Sequence, residues 1–259
     1  LMVMTQASNV LGSVQQIEEI GKILHEHDIF FIVDGAQTAG HIPISLRRLP
    51  ADAFAFTGHK GLFGIAGTGG FYLRDPDAVR PTRFGGTGTN SRSLFQPEEM
   101  PDRFECGTHN YPGLAALAAG VEFLERTGVQ SVEEKALRQT GMILRELAEM
   151  ENIRIYNSRP DVPIIAFNID GLDNDDAGFL LARRHHILTR TGLHCAPLVH
   201  AAIDRGVDAV KRTPLAKHDR GAGCVRMSLS YFTTDEECRA AASAVKEIAE
   251  HAARNLHSA

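Results

Sequence analysis

The first half of the chain alternates unbroken apolar runs with segments of helical period. Leu1–Thr5 reads as a short apolar strand. Ser13 and Gln16, three apart, form a capping box that predicts a helix start. Val14, Ile17, Ile20 and Leu24 give that helix an apolar stripe. Ile29–Val33 is a continuous apolar strand that ends at Asp34-Gly35. Ala53–Phe56 is another, ending at Thr57-Gly58-His59-Lys60, and Gly69–Leu73 is a third. Runs such as Phe30-Phe31-Ile32-Val33 have no polar alternation, which predicts strands covered on both faces. The pattern is that of an α/β protein with a largely parallel sheet flanked by helices.

Residues 80–112 are rich in Gly, Pro, Thr and Asn and read as loop. Leu114–Thr127 is helical in period, and Gly128 is placed to end it. Ser131 and Glu134 form a second capping box that predicts a long helix through about Met150. A boundary is expected there, giving domains 1–129 and 130–259. The last third reads as a smaller α+β unit. Pro163–Ile169 is a strand, Asp173–His186 a helix and Ile187–Arg190 a short strand. Val225, Met227 and Leu229 alternate with Arg226, Ser228 and Ser230, a strand with one polar face. Thr234 and Glu237 make a third capping box. The helix that follows turns Cys238, Ala241, Ala242, Val245, Ile248 and Ala249 to one side. No internal repeat or low-complexity tract interrupts the pattern.

Composition narrows the classes. The 259 residues are 43% hydrophobic and 23% charged, enough apolar matter for a core and too much for global disorder. No apolar run reaches the length of a membrane span. The net charge of -5 favours neither nucleic acid nor an anionic membrane as partner. Cys106, Cys195, Cys224 and Cys238 are too few and too scattered for a disulfide framework, and none forms a C-x-x-C pair. The expected setting is a reducing cytoplasm. The chain opens on a strand with no initiator Met, charged lead-in or cleavage motif. That opening predicts a chain missing sequence upstream.

Two segments carry the chemistry: Val33-Asp34-Gly35-Ala36-Gln37 and Thr57-Gly58-His59-Lys60. Each follows the carboxyl end of a predicted parallel strand, where open α/β sheets bind ligands. An acid, a Gln, a Thr, a His and a Lys are expected to converge there. This set suits a metal poorly, and no metal site is read from the sequence. It suits pyridoxal phosphate well. That cofactor needs an amine for a Schiff base, a carboxylate to keep its ring nitrogen protonated, and phosphate donors such as Thr57 and His59.

Four motifs in order carry a family likeness: Ser8-Asn9-Val10-Leu11-Gly12, Val33-Asp34-Gly35-Ala36-Gln37, Thr57-Gly58-His59-Lys60-Gly61 and Phe104-Glu105-Cys106-Gly107-Thr108-His109-Asn110. Together they resemble the class V aminotransferase family of pyridoxal-phosphate enzymes. Arg190-Thr191-Gly192-Leu193-His194-Cys195-Ala196-Pro197 resembles the active-cysteine segment of its group II cysteine desulfurases and selenocysteine lyases. The resemblance implies a fold type I transferase domain, present in part, with a smaller C-terminal α+β domain. It implies that Lys60 carries the cofactor and shuttles the substrate Cα proton, and that Asp34 pairs with the ring nitrogen. Gln37 contacts the ring hydroxyl, and Thr57 and His59 bind or adjoin the phosphate. Thr108 reaches the phosphate of a partner subunit in a homodimer. Asn9 and Arg226 hold the substrate carboxylate. Cys195 accepts sulfur from L-cysteine, leaving alanine and a persulfide that a sulfur-acceptor protein relieves. Arg190 and His194 are expected to place positive charge beside this thiol.

Each residue also has a plainer reading. A free Cys is most often a buried filler, as Cys106, Cys224 and Cys238 are read here. Arg226 alone could be a surface ion pair, and Asn9 a turn residue. His25, His27, His185 and His186 lie near helix ends and are assigned no chemistry. Gln6 stands where the family often has His, and His109 where it often has Pro. The family's N-terminal portion, with its ring-stacking residue and phosphate turn, has no counterpart here. The alternatives are a selenocysteine lyase, an aminotransferase or epimerase without need of a thiol, and an inactive truncated subunit.

Overall fold

The computed structural model describes residues 1–89, 92–205 and 223–256. The chain divides into two compact units. One comprises Leu1–Gln6 and Gln16–Thr127, the other Ala7–Gln15 and Gly128–Ala259. This differs from a single cut at 129/130, because a short early segment belongs to the second unit.

The first unit is built on a four-stranded sheet in the order β1-β2-β3-β4, with strands Met2–Thr5, Phe31–Asp34, Ala53–Thr57 and Gly69–Leu73. β1, β2 and β3 are parallel, and β4 returns antiparallel to β3. Helix α1 (Ile17–Glu26) brings Ile17, Ile20 and Leu24 onto Phe31, Val33 and Phe54, with Met2 and Met4 against the same cluster. Phe31 and Val33 are fully buried. The expectation of strands covered on both faces fails at β1. The period of two turns Val3 away from the cluster, and it is 60% exposed.

The predicted start of α1 also fails. Ser13 is not its cap: the helix begins at Ile17, and Gln16 caps it with no side-chain hydrogen bond. The carbonyl of Ser13 accepts the Ser8 N–H at 2.9 Å, and the Val14 N–H donates to Asp161 Oδ2 at 2.8 Å. These bonds hold residues 13 and 14 in the second unit, outside the helix. The described residues between 81 and 110 hold neither helix nor strand, as expected, and α2 runs Tyr111–Thr127.

In the second unit α3 (Val129–Leu147) starts two residues before the predicted box, which leaves Ser131 exposed inside the helix. Gly128 is the reason. At φ +83° it ends α2 and caps α3 in one residue, a backbone state open to glycine at little cost. An antiparallel sheet follows in the order β5-β6-β7, with strands Ile153–Ile155, Ile164–Ile169 and Val225–Ser228. Helices α4 (Asn174–His185), α5 (Pro197–Arg205) and α6 (Asp235–Leu256) complete the unit. Residues 187–190 form no strand, and Arg190 makes only an isolated bridge to Arg226.

The unalternated run Ile164–Phe167 needs cover on both faces, and it has it. Ile165, Phe167 and Ile169 pack with Ile143 and Leu147 of α3, Leu181 of α4 and Val245 and Ile248 of α6. On the other face Ala166 meets Val10, Cys224, Ala196 and Val199. The early segment 7–15 therefore forms part of this core. No helix among the described residues is long and apolar enough to cross a membrane.

The third capping box is present as expected. The Thr234 N–H donates to Glu237 Oε2 at 2.8 Å, and the Glu237 N–H donates to Thr234 Oγ1 at 3.1 Å. Thr234→Ala is expected to lower the unfolding free energy by about 1 kcal/mol. Ser131→Ala, on an exposed helical face, is expected to change it by under about 0.5 kcal/mol. Urea denaturation of the two variants checks both values.

Candidate active site

The first unit presents the carboxyl ends of three adjacent parallel strands. Thr5 stands opposite Asp34, and Asp34 opposite Ala55. The ladder continues one residue further, with the Gln6 N–H on the Asp34 carbonyl and the Gly35 N–H on the Ala55 carbonyl, both at 2.8 Å. The Asp34 side chain is exposed at the strand end, and its Oδ1 accepts the Ala36 N–H at 2.9 Å. This bond orients the carboxylate through one oxygen. Gln6 is buried, and its Oε1 accepts the hydroxyl proton of Thr38 at 2.6 Å.

Lys60 lies on the turn after β3. Thr57 Oγ1 and His59 Nδ1 are hydrogen-bonded at 2.7 Å, with His59 exposed and Lys60 half-buried. The Gly64 N–H donates to the Gly58 carbonyl at 2.8 Å, and the Phe63 N–H to the Lys60 carbonyl at 3.0 Å, which closes the turn. A side chain at Gly40 would overlap the Gly61 carbonyl, and one at Gly61 the Ala39 carbonyl. The turns after β2 and β3 thus press backbone to backbone beside Lys60, and only glycine permits that approach.

Gln37 is half-buried, and its carbonyl takes the Nδ1–H of His41 at 2.9 Å. Burial pushes the His41 pKa below 6.5. The bond to Gln37 opposes that shift, and the Lys60 charge adds to it. His41 is therefore neutral at neutral pH. The sequence reading missed it, because it lies in a turn with no spacing signal. Thr108 is exposed on the loop before α2, and its side chain makes no hydrogen bond among the described residues. No described contact ties it to Asp34 or Lys60.

The second unit gathers the other expected residues. Arg226 on β7 donates from Nη1 to the Asn9 carbonyl at 2.9 Å, and Asn9 Nδ2 donates to the His194 carbonyl at 2.6 Å. Arg226 is half-buried, and its Nε has no hydrogen-bond partner among the described residues. Burial and then the Arg190 charge push its pKa below the usual guanidinium value. Cys195 is exposed, whereas Cys224 and Cys238 are buried and Cys106 is half-buried.

The turn that carries Cys195 is left-handed. Gly192, His194 and Cys195 have φ of +85°, +52° and +60°. For the two side-chain-bearing residues this is a costly state that neighbouring bonds must hold. The Gly192 N–H donates to Asn174 Oδ1 at 2.9 Å, and the Gly192 carbonyl accepts the Cys224 N–H at 3.1 Å. His194 Nε2 lies 3.0 Å from the Cys224 carbonyl.

One expectation is corrected here. His194 does not place positive charge beside the thiol. Its side chain is buried, and burial together with the Arg226 charge pushes its pKa down to about 4, against the hydrogen bond to Cys224. Cys224 is buried as expected, but it sits beside His194 and His200 rather than among apolar groups alone. Nothing in the spacing of positions 194, 200 and 224 announces that meeting.

The chain is similar to known proteins along most of its length. The model of the aminotransferase class-V family matches residues 1–240. A protein of Methanothermobacter thermautotrophicus named "Probable cysteine desulfurase" is 33% identical over 255 residues, 96% of this chain and 60% of the relative. The apo structure of a cysteine desulfurase from Thermococcus onnurineus is similar with a TM-score of 0.82 at 30% identity, over 96% of this chain and 60% of that one. An S-sulfonic acid form of a cysteine desulfurase from Escherichia coli follows with a TM-score of 0.79 at 26% identity, over 96% and 58%. The chain therefore spans about 60% of the length of these relatives.

The His41 environment gives a pH prediction. Its folded pKa lies below 6.5, so below that pH the unfolded chain takes up a proton that the folded chain does not. Stability is expected to fall as pH drops below 6.5, and less steeply in His41→Gln. Imidazole NMR titration of the cofactor-free protein is expected to place His41 below 6.5, with a rise on Lys60→Met.

Proposed function

Because the chain belongs to the class-V aminotransferase family, we propose that it carries the core active-site residues of a pyridoxal-phosphate-dependent cysteine desulfurase. The observation that carries this reading is the exposed thiol of Cys195, on a left-handed turn that Asn9 ties by its side chain. An aminotransferase or epimerase needs no such thiol, so its presentation favours desulfuration.

The donor set of the first unit fits the cofactor. Asp34 keeps one carboxylate oxygen outside the bond to Ala36 for a ring nitrogen, and Gln37 serves a ring hydroxyl. Thr57 and His59 supply phosphate donors, and Lys60 supplies the amine that holds the cofactor covalently. When bound, pyridoxal phosphate delocalises the negative charge left at the substrate Cα.

The chain's own groups perform the remaining steps. The Arg226 guanidinium pairs with the substrate carboxylate, for which its planar fork is suited, and Asn9 adds an amide N–H. The Lys60 amine takes the Cα proton and returns a proton to the product. The thiolate of Cys195 attacks the substrate sulfur. An S–S bond forms as the Cβ–S bond breaks, and the electron pair stays with carbon, which is protonated. Sulfur is oxidised and Cβ reduced, so cysteine and one thiol give alanine and one persulfide. The exposure of Cys195 lets a sulfur-acceptor protein approach by thiol exchange. The exposed Thr108, whose side chain has no hydrogen bond among the described residues, supports a homodimer in which it serves the partner's phosphate. Four free cysteines support a cytoplasmic setting.

The full-length protein with pyridoxal phosphate is expected to show the visible absorbance of lysine-bound cofactor, absent in Lys60→Ala. Cys195→Ala is expected to keep that absorbance and to lose sulfide release from L-cysteine to the uncatalysed background. Undiminished sulfide release from Cys195→Ala under reductant would overturn the reading.

A further inference from the structure

The second unit holds a cluster that the proposed reaction leaves unused. His194, His200 and Cys224 are 7%, 3% and 0% exposed. One potential ligand atom from each lies within 4.8 Å of the other two. Three separate pieces of chain bring them together: the left-handed turn, helix α5 and the residue before β7. Cys224 Sγ lies 3.5 Å from His194 Nε2, and the two imidazole centroids are 5.7 Å apart. Nε2 also lies 3.0 Å from the Cys224 carbonyl, which only accepts, so Nε2 carries a ring proton and Nδ1 is the His194 atom left to ligate. His194 Nδ1 is buried with no hydrogen-bond partner among the described residues. Such a site is costly to leave unsatisfied in a folded core.

The donors also select a class of ion. Two imidazoles and a thiol suit a borderline-soft cation, and no carboxylate belongs to the cluster to favour magnesium or calcium. Arg190 and Arg226 oppose added positive charge, and loss of the Cys224 thiol proton offsets it.

We infer that His194, His200 and Cys224 form a three-ligand site for a thiophilic divalent cation, Zn²⁺ foremost, with one coordination position open. Binding forms one Zn–S and two Zn–N bonds and releases the Cys224 proton to solvent. His194 precedes Cys195, so the ion anchors the turn that presents this thiol. The inference stands apart from desulfuration, because it uses neither Cys195 nor the cofactor.

The test uses full-length protein carrying Cys195→Ser, which removes the exposed thiol as a competing ligand. After chelator treatment and dialysis against Zn²⁺, one zinc per chain is expected by elemental mass spectrometry. Loading with Co²⁺ is expected to give the visible bands of a tetrahedral ion and a sulfur-to-cobalt charge-transfer band. Both are read as the difference from the Zn²⁺-loaded sample, so that cofactor absorbance cancels. Adding Cys224→Ser is expected to remove the charge-transfer band, and His200→Gln to weaken zinc binding by at least about 10-fold. Circular dichroism establishes that each variant is folded. Zinc retention unchanged in both variants, a charge-transfer band that survives Cys224→Ser, or no retained metal in the parent overturns the inference.

Discussion

The contacts of one asparagine organise the second unit. The Asn9 carbonyl takes the Arg226 guanidinium, and its amide takes the His194 carbonyl. The strand residue and the turn with Cys195 are therefore referred to one short segment. That segment is itself pinned: Val10 is fully buried, Asn157 Nδ2 donates to the Leu11 carbonyl at 2.6 Å, and the Gly12 carbonyl accepts from Asp161 and Val162. A half-buried guanidinium with an unpaired Nε pays a desolvation cost that an incoming anion would relieve. The two left-handed residues beside it are tolerable because the bonds around Gly192, Cys224 and Asn9 leave the turn no looser alternative.

Two histidines show how the fold sets charge without acids. His41 and His194 are both depressed by burial, and each faces a cation, Lys60 in one case and Arg226 in the other. Neutral imidazoles next to cations neither repel an anionic ligand nor compete with the cation for it. In the first unit the same economy applies to backbone. The contact at Gly40 and Gly61 sets the two strand-end turns against each other with no side chain between them.

Much of this was legible in the chain. Strand ends at Asp34 and Thr57 followed from apolar runs broken by polar, glycine-containing turns, and both lie where the pattern put them. The box at Thr234 was read correctly because the long-range bonds from Arg138 and Gln139 go to its neighbours Thr233 and Asp235, which leaves Thr234 to its local partner Glu237. The box at Ser13 misled because Ser13 and Val14 are held by Ser8 and Asp161, and that capture outweighs a local cap. At Ser131 the left-handed Gly128 had already started the helix. The positions of Asn9, Arg226 and Cys195 were named through family likeness. The bonds of Asn9 to Arg226 and to the His194 carbonyl were not, because residues more than 180 positions apart leave no spacing signal. His200 was assigned no role and Cys224 was read as a buried filler, because the spacing of positions 194, 200 and 224 matches no ligand motif.

The membership of Ala7–Gln15 in the second unit has a consequence for biosynthesis. Residues leave the ribosome in order, so this segment emerges well before the sheet whose face it covers. Until β6 and β7 arrive, Val10 and its neighbours have no apolar surface of their own unit to occupy. Closing that face requires pairing across more than 150 positions, a slow, high-contact-order event. Between its own synthesis and that of β6 and β7, the nascent chain therefore carries this apolar segment uncovered by its own unit.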